Sequence, residues 1–155
     1  MTIKKAKWWN FRKCWSGTEA ADVLEYLTEY GTNGYPVDEL RACKCSCGSD
    51  TFELTLDQEE GCAQRKCCSC ESIHFICDSE EFWDEASPAL WKCGGCGGAT
   101  FNAAVGYSLY STGEDGEADV RYIVLGQRCV TCGELGCSAE WKVGYGPSSQ
   151  LLEHA

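Results

Sequence analysis

The spacing of the cysteines limits most what this chain can fold into. Fourteen of its 155 residues are cysteine, and most are clustered: Cys43, Cys45 and Cys47, then Cys67, Cys68 and Cys70, then Cys93/Cys96, then Cys129/Cys132. Two cluster exits echo one another, "CGSDTF" from Cys47 and "CGGATF" from Cys96, 49 positions apart. After each exit, apolar side chains fall at the fifth, seventh and ninth positions: Phe52, Leu54 and Leu56 in one copy, Phe101, Ala103 and Val105 in the other. A shared phase of period two predicts the same half-buried strand used twice.

Whether such cysteines make disulfides or hold metal depends on the compartment. The opening "MTIKKAKWWNFRKCW" is basic but lacks the apolar stretch and small-residue cleavage site of a secretory leader, and no apolar run is long enough to cross a membrane. The expectation is a cytoplasmic chain with reduced thiols, where clustered cysteines hold metal. Aliphatic runs are sparse, so a large aliphatic core is not expected, and metal would supply the missing stabilisation.

Two cysteines two or three positions apart on a tight turn present both sulfurs to one ion, and two such turns joined by a hairpin complete a tetrahedral site. Cys93, Cys96, Cys129 and Cys132 meet this with C-x-x-C at each end; Gly97 and Gly133 follow the turns. In the first half Cys67 and Cys70 form one end. The other end holds Cys47, whose partner is Cys45, two positions away, or Cys43, four away; the shorter turn keeps the sulfurs closer and Cys45 is preferred. The first set is then Cys45, Cys47, Cys67 and Cys70. Cys14, Cys43, Cys62, Cys68, Cys77 and Cys137 remain, most of them read as small buried hydrophobes rather than reactive thiols. His74, four positions after Cys70, is read as a strand residue rather than a ligand.

These motifs resemble zinc ribbons, whose knuckles are similar to those of rubredoxins, over residues 43–77 and 93–143. The paired "CxCG…CxxC" pattern also resembles that of uncharacterised bacterial cysteine-rich proteins. The resemblance implies small three-stranded antiparallel sheets, each with a structural metal at one end, and two Zn2+ per chain. The alternative is a rubredoxin-like iron centre, against which stand the long second hairpin and the presence of two sites. The expected fold is mostly β with a small α component: two tandem zinc-ribbon-like modules plus an N-terminal helix and a short linker helix. The divisions are 1–42, a basic and aromatic arm with a helix from a Ser16/Glu19 capping box to Gly31; 43–77, the first module; 78–92, an acidic linker helix capped by Ser79; and 93–155, the second module and tail.

The formal charge is −11, yet residues 1–17 carry five bases and no acid, leaving −16 on the rest. A broad nucleic-acid surface needs a basic face, so the acidic body argues against one. The interleaved bases and aromatics "KKAKWWNFRKCW" suit stacking on nucleic acid or a membrane surface, but are read as an arm packed on the acidic body. Five acids between Asp78 and Glu85 are read as a solvated helix face. With two histidines and no phosphate loop or H-E-x-x-H motif, no nucleophile–base set supports an enzyme. The expected function is that of a zinc-stabilised acidic module that binds another protein, basic or nucleic-acid-binding, as an adaptor or an inhibitor. A charge mimic of nucleic acid from a mobile element or immunity system is one version. The alternatives are an iron electron carrier and a nucleic-acid-binding ribbon.

Overall fold

The computed structural model describes the backbone of residues 4–9, 12–30, 35–110 and 118–155, and the side chains of 15–29, 35–110 and 118–155. The basic, aromatic arm is extended: β1 (Lys4–Trp9) and β2 (Arg12–Ser16) form an antiparallel hairpin. The first helix, α1 (Asp22–Tyr30), is shorter than expected and uses no Ser16/Glu19 box, because Ser16 is committed to strand pairing with Glu134. The buried Asp22 carboxylate accepts instead from the N–H groups of Thr18 (2.7 Å) and Glu19 (3.1 Å), which folds residues 18–21 into a tight lead-in.

The next strands are β3 (Glu39–Ala42), β4 (Phe52–Asp57), β5 (Cys62–Cys67) and β6 (Ile73–Phe75). A one-turn helix α2 (Ser79–Phe82) and a 3-10 turn (Trp83–Glu85) make the linker, followed by β7 (Ala89–Leu90). Ser79 does not cap that helix; its hydroxyl donates to Ile76 O (2.6 Å) and accepts from Ala63 N–H (2.8 Å), pinning the linker to β5. The acidic run is also only partly solvated, since buried Asp78 accepts from Trp141 Nε1 (3.1 Å) and Tyr145 Oη (2.8 Å). Then come β8 (Phe101–Leu109), β9 (Val120–Cys129), β10 (Glu134–Lys142) and a terminal 3-10 turn (Ser149–Glu153).

The chain is mostly β, and its strands join one antiparallel sheet in the order β1-β2-β10-β9-β8-β4-β5-β6, with β3 added to β8 and β7 to β4. The strands expected of the two modules are thus neighbours as foreseen, but they are not two separate sheets. They meet where β4 touches β8, and the residues that meet are the two echoing phenylalanines, Phe52 opposite Phe101. Phe52 also faces Cys67 and Phe101 faces Cys129, so one row runs Cys67, Phe52, Phe101, Cys129 across four strands. At about 4.8 Å per strand, its ends lie about 14 Å apart.

The segments entering the first and third cysteine clusters cross over to the opposite half. Cys43 N–H donates to Ala103 O (2.9 Å), and Trp91 N–H donates to Leu54 O (2.7 Å). Each acceptor stands seven positions after Cys96 or Cys47 respectively, so the exchange is reciprocal. A further departure from the sequence reading is that β8 is buried on both faces, not one. One face joins a core of Phe52, Leu54, Val105, Ile123 and Leu125; on the other, Val23, Tyr26 and Leu27 of α1 cover Ala104 and Val124. Gly126 makes that approach possible, for a Cβ there would stand 2.8 Å from Leu27. At about 1.5–3 kcal/mol per fully buried large aliphatic side chain, this core is more substantial than the scarcity of apolar runs suggests.

Candidate metal centres

Each cysteine cluster sits on a turn of one design. The N–H of the residue after its second ligand-type cysteine bonds back to the carbonyl of the first: Gly48 to Cys45 (2.9 Å), Glu71 to Cys67 (3.0 Å), Gly97 to Cys93 (2.8 Å) and Gly133 to Cys129 (2.8 Å). The residue that closes each turn has positive φ: Gly48 at 96°, Glu71 at 65°, Gly97 at 77° and Gly133 at 82°. Three are glycine, for which this conformation is free of Cβ strain; Glu71 is not. Amides inside the turns point at sulfur, as in Cys70 N–H to Cys67 Sγ (3.5 Å), Gly95 N–H to Cys93 Sγ (3.4 Å) and Gly98 N–H to Cys96 Sγ (3.4 Å).

The turns converge in pairs. Cys45, Cys47, Cys67 and Cys70 form one group and Cys93, Cys96, Cys129 and Cys132 the other, all sulfurs of a group lying within 4.8 Å of one another. Close pairs are Cys45/Cys70 at 3.4 Å, Cys47/Cys67 at 3.6 Å, and Cys93/Cys132 and Cys96/Cys129 at 3.5 Å. A disulfide needs about 2.05 Å. Four sulfurs at about 2.3 Å from a tetrahedral ion stand about 3.8 Å apart, close to what is found, so both groups can hold a metal ion. In each group two sulfurs belong to buried residues and two to exposed ones. Amide donors draw the Cys67 thiol down to about 6, the N–H of Cys70 contributing most, which favours the thiolate a metal requires.

Cys45, not Cys43, stands in the first group. Cys43 is buried in the core, and desolvation raises its thiol to about 12. Cys77 and Cys137 are likewise raised to about 12 by burial. Cys62 is fully buried and Cys68 exposed, neither within a four-sulfur group, and the side chain of Cys14 lies outside the described residues. His74 is outside the first group too, with Nε2 3.2 Å from His154 O.

Two features of the sites escaped the sequence reading. One is Glu71, which occupies the position that Gly48, Gly97 and Gly133 hold in the other turns; aligning all four turns would have exposed it. The other is an asymmetry two positions after the last cysteine. In the first site Ser72 Oγ lies 3.1 Å from Cys70 Sγ, whereas in the second Glu134 Oε2 lies 3.0 Å from Cys93 Sγ. Burial and the Glu134 carboxylate together push the Cys93 thiol upward. No spacing rule anticipates the Glu134 contact, which depends on Gly95 having no side chain; a Cβ there would stand 2.9 Å from Glu134 Oε2.

No protein-family model, curated protein or solved structure matches this chain. No helix among the described residues is long and apolar enough to cross a membrane.

Proposed function

We propose that the chain is a pair of tandem zinc ribbons, residues 43–77 and 93–155, whose two Zn2+ ions hold together an acidic module that binds another protein. The observation that carries the zinc reading is the closed set of four sulfurs at each pair of turns. Four thiolates fill a tetrahedral ion and leave no position open for substrate, so the metal acts by stabilising the fold. Binding free energy for structural zinc is about 10–16 kcal/mol at neutral pH, enough to decide whether the chain folds. The charge carries the partner reading. With each loaded site at a formal −2, the chain reaches −15 from its sequence value of −11, and such a field draws basic partners. An adaptor or an inhibitor that occupies a nucleic-acid-binding surface fits this charge. Affinity purification from the native host tests it: recovery of a stoichiometric protein partner is expected, and repeated recovery of the chain alone contradicts the proposal.

A second reading has one observation in its favour. Amide donors to the cysteine sulfurs also suit a rubredoxin-like iron centre. Purified protein that is red would support iron; colourless protein with two zinc ions per chain would remove it.

A further inference from the structure

The two halves carry the same cavity with different charge. In the first half, a cavity of about 400 Å³ is lined by residues 44–46 of the opening cysteine turn, Arg65 of β5, and residues 72–74 where β6 begins. In the second half, a cavity of about 330 Å³ takes in residues 92–94, Gln127 of β9 and residues 134–136 of β10, and reaches on to Tyr26 of α1. Counted from the ligand-type cysteines, these positions are equivalent. Residues 44–46 and 92–94 surround Cys45 and Cys93, Arg65 and Gln127 stand two before Cys67 and Cys129, and the last three stand two to four after Cys70 and Cys132. The repeat therefore extends to a hollow beside each metal centre.

The chemistry of the hollow does not repeat. The first has Lys44, Arg65 and His74 in its wall and no carboxylate, in a chain with 24 acids against 13 lysines and arginines. In the second, Lys92 remains, but Gln127 stands for Arg65, Gly136 for His74 and Glu134 for Ser72. Arg65 is 6% exposed, its guanidinium carbon 4.7 Å from the centre of the Phe52 ring. Its Nε and Nη2 donate to Ala155 O (3.3 and 3.0 Å), and Nη2 also donates to Lys44 O (3.4 Å). These bonds fix the guanidinium in place. Among the described residues, Arg65 Nη1 and the Ser46 hydroxyl make no hydrogen bond, and neither Lys44 nor Arg65 forms an ion pair with a side chain. His74 Nε2 lies 3.2 Å from His154 O.

We infer that the first cavity is a binding site for a phosphate group, and that the second, its structural twin, is not. Lys44 Nζ, Arg65 Nη1 and Ser46 Oγ supply three donors, one for each terminal oxygen of a phosphate monoester, and two of them are charged. A carboxylate fits less well. It is gripped best by the paired Nε and Nη2 edge of a guanidinium, and Ala155 O occupies that edge of Arg65. The same cations also face the four thiolates of the loaded first centre, so the affinity is modest, with a Kd of about 1 mM. The site goes beyond the protein-binding reading, and neither depends on the other.

The test is titration of inorganic phosphate into the 15N-labelled, zinc-loaded full chain at fixed pH and ionic strength. Expected are saturable shifts of the amides at 44–46 and 72–74, with a Kd of about 1 mM or lower, without matching shifts at 92–94 and 134–136. Acetate should bind more weakly. Lys44→Gln and Arg65→Gln, the second copying the residue of the other half, should each weaken phosphate about fivefold at unchanged zinc content. Should Arg65→Gln lose zinc, Lys44→Gln decides, since that side chain is exposed. O-phosphoserine distinguishes the sources: tighter binding than inorganic phosphate marks a monoester as the ligand, and weaker binding marks the free ion. Absence of saturable shifts, equal shifts at both cavities, acetate binding as tightly as phosphate, or binding unchanged in Lys44→Gln overturns the inference. A variant that loses zinc from the first centre yet binds phosphate as the parent does also overturns it, because the cations then serve the sulfurs alone. None of these results bears on recovery of a protein partner.

Discussion

Glu71 is the one non-glycine among four otherwise equivalent turn positions, so Glu71→Gly should stabilise the protein. At φ 65° its Cβ sits in the left-handed region, which costs an L-residue about 1–2 kcal/mol. Glycine removes that cost but gives back about 0.5–1 kcal/mol in unfolded-chain entropy. The net gain is about 0.5–1 kcal/mol, or about 1–4 °C in Tm for a chain of this size. Glu71 is exposed and belongs to neither four-sulfur group, so the backbone should dominate. Gly97→Ala is the mirror experiment: φ is 77° and no atom lies within 4 Å of the added Cβ, so it should lose about 0.5–1 kcal/mol, the backbone strain less the unfolded-chain entropy that alanine removes. Gly133→Ala should lose more, because at φ 82° its Cβ would also stand 2.6 Å from Gly17 O, a backbone atom with little freedom to yield. Urea unfolding at fixed free zinc, followed by tryptophan fluorescence, reads all three. A destabilised Glu71→Gly together with an unaffected Gly97→Ala would refute the view that these turns are equivalent.

Further expectations follow from the junction, the linker and the surface carboxylates. Phe101→Ala removes a fully buried ring from the row that joins the two halves and should cost about 3–5 kcal/mol; calorimetry should still show one transition, since the crossed segments tie the halves together. Trp141→Phe deletes the indole donor to buried Asp78 while Tyr145 still bonds it, and should cost about 1–3 kcal/mol by chemical denaturation. Asp57 is held below the usual carboxylate range, first by the Ser87 N–H and then by those of Glu60 and Glu59. A lowered folded-state pKa gives stability that is present above the unfolded value, about 3.9, and lost as pH falls through the folded one. The stability difference between the parent and Asp57→Asn, read by urea titration at fixed zinc, should therefore be constant near neutrality and shrink below about pH 4.

Much of the architecture was legible because cysteine spacing and period-two alternation report local geometry. Phe52, Leu54 and Leu56 are buried at the positions the alternation names, and the eight cysteines assigned to two groups stand in those two groups. What escaped depends on distant partners. Nothing near Ser16 announces that it will pair with Glu134, so its capping-box spacing misled. The joining of both halves into one sheet depends on the crossed segments around Cys43 and Trp91, whose partners lie 60 and 37 positions away along the chain, at Ala103 and Leu54. Burial of both faces of β8 follows from α1 docking through Gly126, a contact with no signature in either strand or helix alone. Asp78 belongs to an acidic run by sequence, yet by structure it is the acceptor for Trp141 and Tyr145.

Elemental analysis of the purified chain beside Cys47→Ser and Cys96→Ser tests most directly the central claim of two separate four-sulfur metal centres. Two zinc ions in the parent chain and one in each variant are predicted, because each substitution opens a different group. Unchanged metal content in both variants, or a parent chain that carries none, would contradict it.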